Sequence, residues 1–216
     1  ITPEGNLQNT LLGEAGIDDV LYHVETQGFD VLPAASGVPE LTELQPDMRN
    51  MLLDRLEPEL DKYDFVFMDV GAGISGTVQT FAALAAMRIV VITPEPTSLT
   101  DSYALIKVLN ARYGLQDFMV IVNQVASASE AKASFDKLYG ACRHFLHIEP
   151  VLLGHIRDDK KVPEAVCRQQ PLMRIAPGSP AAQDIQNLAA RLQRLRLGMA
   201  DWLAPRKVLQ SISAKG

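Results

Sequence analysis

Three short runs in this sequence are apolar at every position, and they restrict the fold more than any other feature. The runs are Phe65-Val66-Phe67-Met68, Ile89-Val90-Val91-Ile92 and Met119-Val120-Ile121-Val122. A strand with one face in water alternates polar and apolar residues, whereas a strand covered on both faces does not. The runs therefore predict a parallel sheet that lies between two layers of helices.

Segments of helical length separate the predicted strands, so strands and helices alternate along the chain. We predict strands at Phe29 to Pro33, Phe65 to Asp69, Ile89 to Thr93, Phe118 to Asn123 and Val151 to Ile156. We predict helices at Pro46 to Leu60, Ser98 to Tyr113, Ala128 to Phe145 and Ala181 to Leu197. The side chains that are candidates to cap the second helix are Thr97, Ser98, Thr100 and Asp101. This order predicts an α/β fold with a doubly wound, mostly parallel sheet and right-handed crossovers.

The composition disfavours several classes of protein. Apolar residues make up 47% of the chain, which is enough for a sizeable core. The net charge of -6 leaves no basic excess to neutralise phosphates, so we expect no direct binding to nucleic acid. No apolar run is long enough to span a bilayer and no signal peptide is evident, so we expect a cytoplasmic protein. Cys142 and Cys167 fit no disulfide or zinc spacing, and we expect buried or half-buried free thiols in a reducing cytosol.

The loop after the strand from Phe65 to Asp69 has side chains suited to phosphate chemistry. In open parallel sheets, ligands bind beyond the carboxyl ends of the strands, and Asp69 stands at such an end. A carboxylate there can hold Mg²⁺ or a metal-bound water. Gly71, Ala72 and Gly73 leave room for a phosphate to approach the backbone. The alternative is an ordinary strand-to-helix turn, in which Asp and Gly are also common.

Two further strand ends carry polar side chains. Glu95 follows the strand from Ile89 to Thr93, at the predicted strand end that also holds Asp69. Asn123 ends the next strand, and its amide offers the donor and acceptor that match the N6/N7 edge of adenine. Taken alone, Glu95 is equally explained as part of a helix start, and Asn123 as a turn residue.

The last predicted strand leads into Gly154-His155-Ile156-Arg157-Asp158-Asp159, which is a candidate wall for a base pocket. The four histidines form no convincing catalytic or metal-binding group, and we interpret them as structural or surface residues. They are His23, His144, His147 and His155.

Together these segments resemble the MinD/ParA class of deviant P-loop ATPases, and most closely its flagellar-number regulators, the FlhG/FleN-like branch. The stretch from Glu95 to Lys107, EPTSLTDSYALIK, is similar to the signature of that branch. The run from Val31 to Gly37 and the loop from Asp69 to Ile74 match as well. The resemblance covers the chain from about Asn6 to about Pro171.

The resemblance implies roles for particular residues. Asp69 matches the aspartate of the family's second switch, which is linked to Mg²⁺ and water, and Gly71 to Gly73 match its γ-phosphate-sensing loop. Asn123 matches the adenine-binding asparagine, and Asp159 an acidic residue near the base. Ile156 and Arg157 are expected in the pocket wall, and Glu95 among the residues that bind the nucleotide. Relatives often have proline at the position of Arg157, which makes that wall different here.

The resemblance also implies cofactors and partners. We expect ATP or ADP with Mg²⁺, a nucleotide-dependent homodimer and slow, regulated hydrolysis in the complete protein. The expected partners are a flagellar GTPase of the signal-recognition type, a flagellar transcription activator or switch-complex proteins of a bacterium. The output would be flagellar number and placement.

The family's N-terminal unit of strand, phosphate loop, helix and strand has no counterpart in this sequence. That loop supplies backbone N–H groups and lysines to the phosphates, so we expect this polypeptide alone not to hydrolyse ATP. Two explanations stay open, a fragment of a full ATPase or a non-catalytic adaptor, and a process other than flagellar placement is a third alternative. A missing central strand would expose apolar edges and favour self-association.

The C-terminal part divides at about residue 198. We predict an incomplete ATPase domain at 1–198 and a tail at 199–216. The apolar and basic side chains on both sides of this boundary fit either an amphipathic helix at the inner face of the membrane or a helix packed on the sheet. These side chains are Leu192, Leu195, Leu197, Met199, Trp202 and Leu203 with Arg191, Arg194 and Arg196.

Overall fold

A computed structural model describes residues 5–24, 28–34, 54, 56 and 58–198. The chain falls into two compact units, residues 1–81 and 82–216, and each is described by itself. The described residues include strands that pair in parallel with helices packed around them, so the predicted α/β class is confirmed.

The first unit contains short elements. Helices α1 (Leu7–Leu11) and α2 (Ile17–Val20) precede an antiparallel hairpin of β1 (Tyr22–Val24) and β2 (Phe29–Val31). A small core joins Leu7, Ile17 and Leu56, and three partly buried side chains pack against it, those of Leu32, Leu60 and Phe81. Helix α3 (Gly76–Leu84) leads from this unit into the next.

The second unit holds a parallel sheet. Its strands are β3 (Ile89–Ile92), β4 (Met119–Val125) and β5 (Val151–Arg157), in the order β3-β4-β5. The crossover helices are α4 (Pro96–Tyr113) and α5 (Ala128–Leu146). After β5 come α6 (Lys161–Cys167), α7 (Leu172–Ile175) and α8 (Pro180–Gly198).

Local sequence signals explain where the crossover helices begin and end. Helix α4 has Pro96 in its first turn, where the missing N–H costs nothing, and ends at Gly114 in the left-handed conformation. Helix α5 begins at Ser127, whose hydroxyl accepts the N–H of Glu130. It ends at His147, a left-handed residue whose N–H donates to the carbonyl of Cys142.

The side chains of β4 alternate between two cores, which places helices on both faces of the sheet as predicted. Val120 and Val122 belong to the main core, which contains buried side chains of α4 and α5. Ile121 belongs to a second core with Leu153 and with Leu188 of α8. Residues two apart on a strand share a face, so these two cores lie on opposite faces.

The strand predicted from Phe65 to Asp69 is wrong. Residues 65–70 join no ladder among the described strands, and all of them are exposed. Phe67 is 75% exposed and its ring stacks on that of Phe65. A strand is stable only when a neighbour accepts its backbone hydrogen bonds, and apolar composition alone does not supply that neighbour.

Three smaller predictions also need revision. The strand predicted from Phe29 to Pro33 exists as β2, but it pairs antiparallel in the hairpin and does not join the parallel sheet. The N-cap of α4 is Glu95, before the four predicted candidates, because Pro96 already fits the first helical turn. Cys142 is buried as expected, whereas Cys167 is exposed.

The last helix packs on the sheet as far as Leu195. Leu192 and Leu195 pack on the second core, and Arg191 Nη1 donates to the carbonyl of Leu153 at 2.7 Å. The packed alternative therefore holds for Leu192 and Leu195, whereas Leu197 is 72% exposed. Met199, Trp202 and Leu203 lie outside the described residues. No described helix is both long and apolar enough to cross a bilayer. Most of the predicted helix at Pro46 to Leu60 lies outside as well, although residues 58–60 are helical.

Candidate site at the carboxyl ends of the parallel strands

Three of the predicted site segments meet at one edge of the parallel sheet. Glu95 follows β3, Asn123 lies near the end of β4, and Arg157 ends β5. The registers pair Ile92 with Val122 and Val122 with His155, so the three strands end side by side. This edge is where an open parallel sheet offers its ligand site.

A β-bulge lies next to Asn123. Val122 pairs with His155 and Val125 with Arg157, so Asn123 and Gln124 together oppose the single residue Ile156. Gln124 has φ of 57°, in the left-handed region that few non-glycine residues adopt. Val122 and Val125 consequently both return to the main core. A bulge turns a side chain away from its regular direction, and here it affects Asn123.

Two polar side chains at this edge lack a hydrogen-bond partner among the described residues. The half-buried side-chain amide of Asn123 makes no hydrogen bond to any residue that the structure describes. Thr93 follows β3 directly, and its Oγ1 is buried without a hydrogen-bond partner in the described part of the chain. Buried polar groups normally have partners, so an orphan at a strand end fits a site that is completed by another group.

The turn that carries Glu95 is held by its own helix. Ser98 Oγ accepts the backbone N–H of Thr93 at 2.9 Å, and this bond closes the chain from β3 into α4. Glu95 itself is exposed and makes no side-chain cap bond. The predicted cap residue Ser98 therefore fixes the strand end, while the Glu95 carboxylate stays open to solvent.

The side chains predicted to wall the base pocket are held elsewhere. Ile156 packs on the second core. Arg157 binds Asp184 of α8, with Nε and Nη2 donating to the two carboxylate oxygens at 2.8 and 2.9 Å. Asp159 accepts the N–H of Lys161 at 2.9 Å and that of Ala181 at 3.1 Å. What this loop offers a base is therefore chiefly its backbone.

Hydrogen bonding shifts the acidity of both carboxylates. Burial is the largest influence on Asp184 and raises its pKa, but the hydrogen bonds and charge of Arg157 together outweigh it, so the pKa lies below its ordinary value. The backbone N–H groups of Lys161 and Ala181 are the main causes that lower the pKa of Asp159. Both carboxyl groups therefore have a pKa below the ordinary value of an aspartate.

The loop with Asp69 belongs to the first unit. Asp69, Gly71, Ala72 and Gly73 are all exposed, and no hydrogen bond or ion pair joins Asp69 to a described residue. Gly73 has φ of 99°, which only glycine adopts without strain. Gly71 has open space around it. The backbone thus explains the need for Gly73 but not for Gly71.

The histidines play the structural and surface parts that were predicted for them. His23 Nδ1 lies 2.8 Å from Asp30 Oδ1. Both residues belong to the antiparallel hairpin and not to the parallel sheet. The His144 ring meets Phe145 edge-on, and His147 ends α5. No cluster of three metal-ligating side chains occurs within the described ranges.

Sequence reasoning missed three residues that shape this edge. Gly154 allows α8 to approach, since a Cβ there would lie 2.7 Å from Leu188 Cδ2. Asp184 lies in a helix whose polar residues are otherwise mostly exposed, and only its alignment with apolar neighbours marks it as buried. Gln124 was detectable from the spacing of Val122 and Val125, three residues apart where a regular strand needs two.

Known proteins are similar to this chain in sequence and in fold. A sequence profile described as cellulose biosynthesis protein BcsQ, which is ParA/MinD-like, matches residues 25–192. The antiactivator FleN of Pseudomonas aeruginosa is 32% identical over 192 residues, which cover 89% of this chain and 68% of FleN. The chain belongs to the MinD/ParA family of P-loop ATPases.

One further relative is similar to this chain in sequence, and one solved structure is similar to it in fold. The flagellum site-determining protein YlxH of Helicobacter pylori is 29% identical, over 87% of this chain and 63% of its own length. The septum site-determining protein MinD of Pyrococcus horikoshii, solved in complex with Mg-ADP, superposes with a TM-score of 0.67 at 24% identity. The superposition covers 89% of this chain and 74% of the MinD chain, and this likeness establishes the fold. The chain thus spans about two thirds of its relatives' length.

In the second unit the carboxyl edge of the sheet has a group that fits an adenine base, and in the first unit Asp69 has a group of the kind that Mg²⁺ takes. The open amide of Asn123 has the donor and acceptor that an adenine edge requires. Mg²⁺ usually keeps several waters and takes one or two carboxylates besides the phosphates, so the single carboxylate of Asp69 suits it. When bound, Mg²⁺ would neutralise part of the phosphate charge.

Proposed function

We propose that the complete protein is an ATP-dependent switch that controls flagellar number and placement or flagellar gene expression. Within the MinD/ParA family, the relatives named an antiactivator and a flagellum site-determining protein support this process. The observation that carries the nucleotide part is the open amide of Asn123 at a bulge on the carboxyl edge of the sheet. ATP binding would favour a homodimer, and slow hydrolysis would return the monomer.

In this proposal each predicted residue has one task. Asn123 would bind the adenine edge, and backbone groups of residues 157–159 would line the base. Asp69 would hold Mg²⁺ or its water, and Gly71 to Gly73 would follow the γ-phosphate. Glu95 would lie near the phosphates. Partners would be a flagellar GTPase, a transcription activator or switch-complex proteins, and peripheral membrane contact would involve residues after Gly198.

The direct test is ATP turnover by the full gene product that contains this chain. We expect Asp69→Ala to lower the rate by roughly 10- to 100-fold, as the loss of a group linked to a metal usually does. Asp61→Ala, which removes another exposed carboxylate of the same unit, should leave the rate unchanged. Equal rates for wild type and Asp69→Ala would contradict the role of Asp69.

A cell-level test addresses the process. Deleting the full gene should change the number of flagella per cell, and the intact gene should restore it, whereas the Asp69→Ala gene should not. Unchanged flagella would contradict the flagellar assignment and leave the nucleotide switch standing.

A second candidate is a MinD/ParA-type ATPase that serves another process. The matching profile is described by cellulose biosynthesis, which favours this candidate. Loss of cellulose production without a flagellar change in the same deletion strain would select it.

A further inference from the structure

Arg157 and Asp184 form a clamp between the end of β5 and the first turns of α8. Besides the two-point contact of its guanidinium, Arg157 donates its backbone N–H to Asp184 Oδ2 at 3.0 Å. Its Nη2 also donates to the carbonyl of Pro180 at 3.1 Å. One carboxylate thus fixes both the side chain and the backbone of the residue that ends the strand. Paired planar contacts of this kind define geometry as well as contribute energy.

A second contact holds the same loop. Asp159 Oδ1 accepts from Lys161 at the start of α6, and Oδ2 accepts from Ala181 in the first turn of α8. Ser179 adds a side-chain hydrogen bond to Asp159. The loop 157–161 is therefore attached to α8 at two points. Such a loop has little freedom to change shape unless α8 moves too.

The clamp is also continuous with the bulge that carries Asn123. Arg157 pairs with Val125, and the N–H of Asp158 donates to the carbonyl of Val125 at 2.9 Å. Asn123 lies two residues before Val125 on the same strand. The clamp therefore sets the spacing between the amide of Asn123 and the backbone of the loop 157–161.

Because Asp184 is buried, its carboxylate depends on the ion pair with Arg157. The Asp184 side chain is 9% exposed and that of Arg157 37%. A carboxylate this buried needs a charged partner, and removing the partner leaves an uncompensated charge. The pair of Glu164 in α6 and Arg168 directly after α6, 2.7 Å apart, is more exposed, at 31% and 60%, and carries no such constraint.

We propose that Arg157 and Asp184 are positioning residues that set the width of the adenine site. Neither side chain touches the base in this account. They hold the loop 157–161 at the distance from Asn123 that an adenine requires, so α8 controls how tightly the base is bound. This inference rests on the proposed nucleotide function.

The test compares the base end of the nucleotide with its phosphate end. Full gene product is titrated with ATP, GTP and inorganic tripolyphosphate, as wild type, Asp184→Asn and Arg157→Lys. We expect Asp184→Asn to raise the Kd for ATP by about tenfold, because displaced binding groups lose affinity steeply. The Kd for tripolyphosphate should not change, and the preference for ATP over GTP should fall. Arg157→Lys keeps the charge but loses the planar fork, and should act in the same direction.

Arg168→Gln is the matched control and should leave every Kd unchanged. Thermal unfolding without nucleotide identifies any variant that fails to fold, and Arg157→Lys, the milder change, then carries the test. A merely structural clamp would alter unfolding but not the ratio of the ATP and tripolyphosphate affinities, and an unchanged ratio in both variants would overturn the positioning role. Wild type that binds no ATP would instead refute the proposed function, and this inference with it.

Discussion

At the scale of single residues, the geometry of the carboxyl edge is determined mainly by residues that lie beside the predicted binding residues. Gly154 admits α8 against β5, and Gln124 accepts a left-handed backbone so that Asn123 can leave the regular alternation. Asp184 fixes the end of β5. These residues lie beside the predicted binding residues and determine their geometry.

Gly154→Ala should destabilise the protein. The added Cβ would lie 2.7 Å from Leu188 Cδ2, and Leu188 is itself buried, so neighbouring side chains must shift. Overpacking of this kind typically costs about 1–3 kcal/mol. Gly140→Ala, on an exposed face of α5 with nothing nearby, should instead stabilise by about 0.5–1 kcal/mol. Urea unfolding of both variants measures the difference, and equal free energies of unfolding would contradict the close approach.

The acid sensitivity of stability should depend on Asp184. Its pKa is lowered in the folded protein, so its ion pair stabilises fully above the ordinary value of 3.8 and is lost as pH falls through the folded pKa. Asp184→Asn should therefore be less stable than wild type at neutral pH. The gap in the free energy of unfolding should narrow as pH falls below about 4. A gap that stays constant down to the most acidic pH at which wild type folds would contradict the lowered pKa.

At the scale of elements, apolar runs predicted strands well only where a partner strand exists. Ile89–Ile92 and Met119–Val125 pair with each other, as their composition indicates. The equally apolar segment 65–70 pairs with no described strand and is exposed. An apolar composition shows that a segment is suited to burial on both faces. Whether a neighbouring strand is present to pair with it depends on the whole sheet.

The exposed segment 65–70 should promote self-association. An exposed apolar segment offers its side chains to another chain. Phe67→Ser should therefore shift the 216-residue chain toward monomer in sedimentation velocity. Phe145→Ser removes another exposed aromatic, one that is 67% exposed on α5, and should change association less. The same effect from both variants would indicate general hydrophobic attraction and contradict a special role of the segment.

Most of the second unit could be predicted, whereas the contacts that shape its site could not. The predicted bounds of α4, α5 and α8 agree with the structure to within about two residues, the usual error of such boundaries. Asn123 and Asp159 lie at the strand ends where the sequence placed them, and their roles toward a nucleotide stay predictions. The clamp between Arg157 and Asp184 joins residues 27 apart, and no local pattern encodes a pairing at that distance. Long-range contacts of this kind depend on how the helix packs.

At the scale of the whole molecule, the described sheet is a part of a MinD/ParA fold. Its three parallel strands, covered on both faces, bring Glu95, Asn123 and the loop 157–161 to one edge. The chain covers about two thirds of its relatives, and the activity proposed above belongs to the full gene product. We propose that this edge recognises adenine.

Isothermal titration of the full gene product with ATP and GTP tests that claim most directly. Wild type should prefer ATP, and Asn123→Ala should weaken ATP binding by about tenfold or more, as the loss of a paired contact to a base does. The preference over GTP should disappear, while Asn187→Ala, an exposed asparagine on α8, should behave as wild type. Equal ATP affinities for wild type and Asn123→Ala would contradict the account.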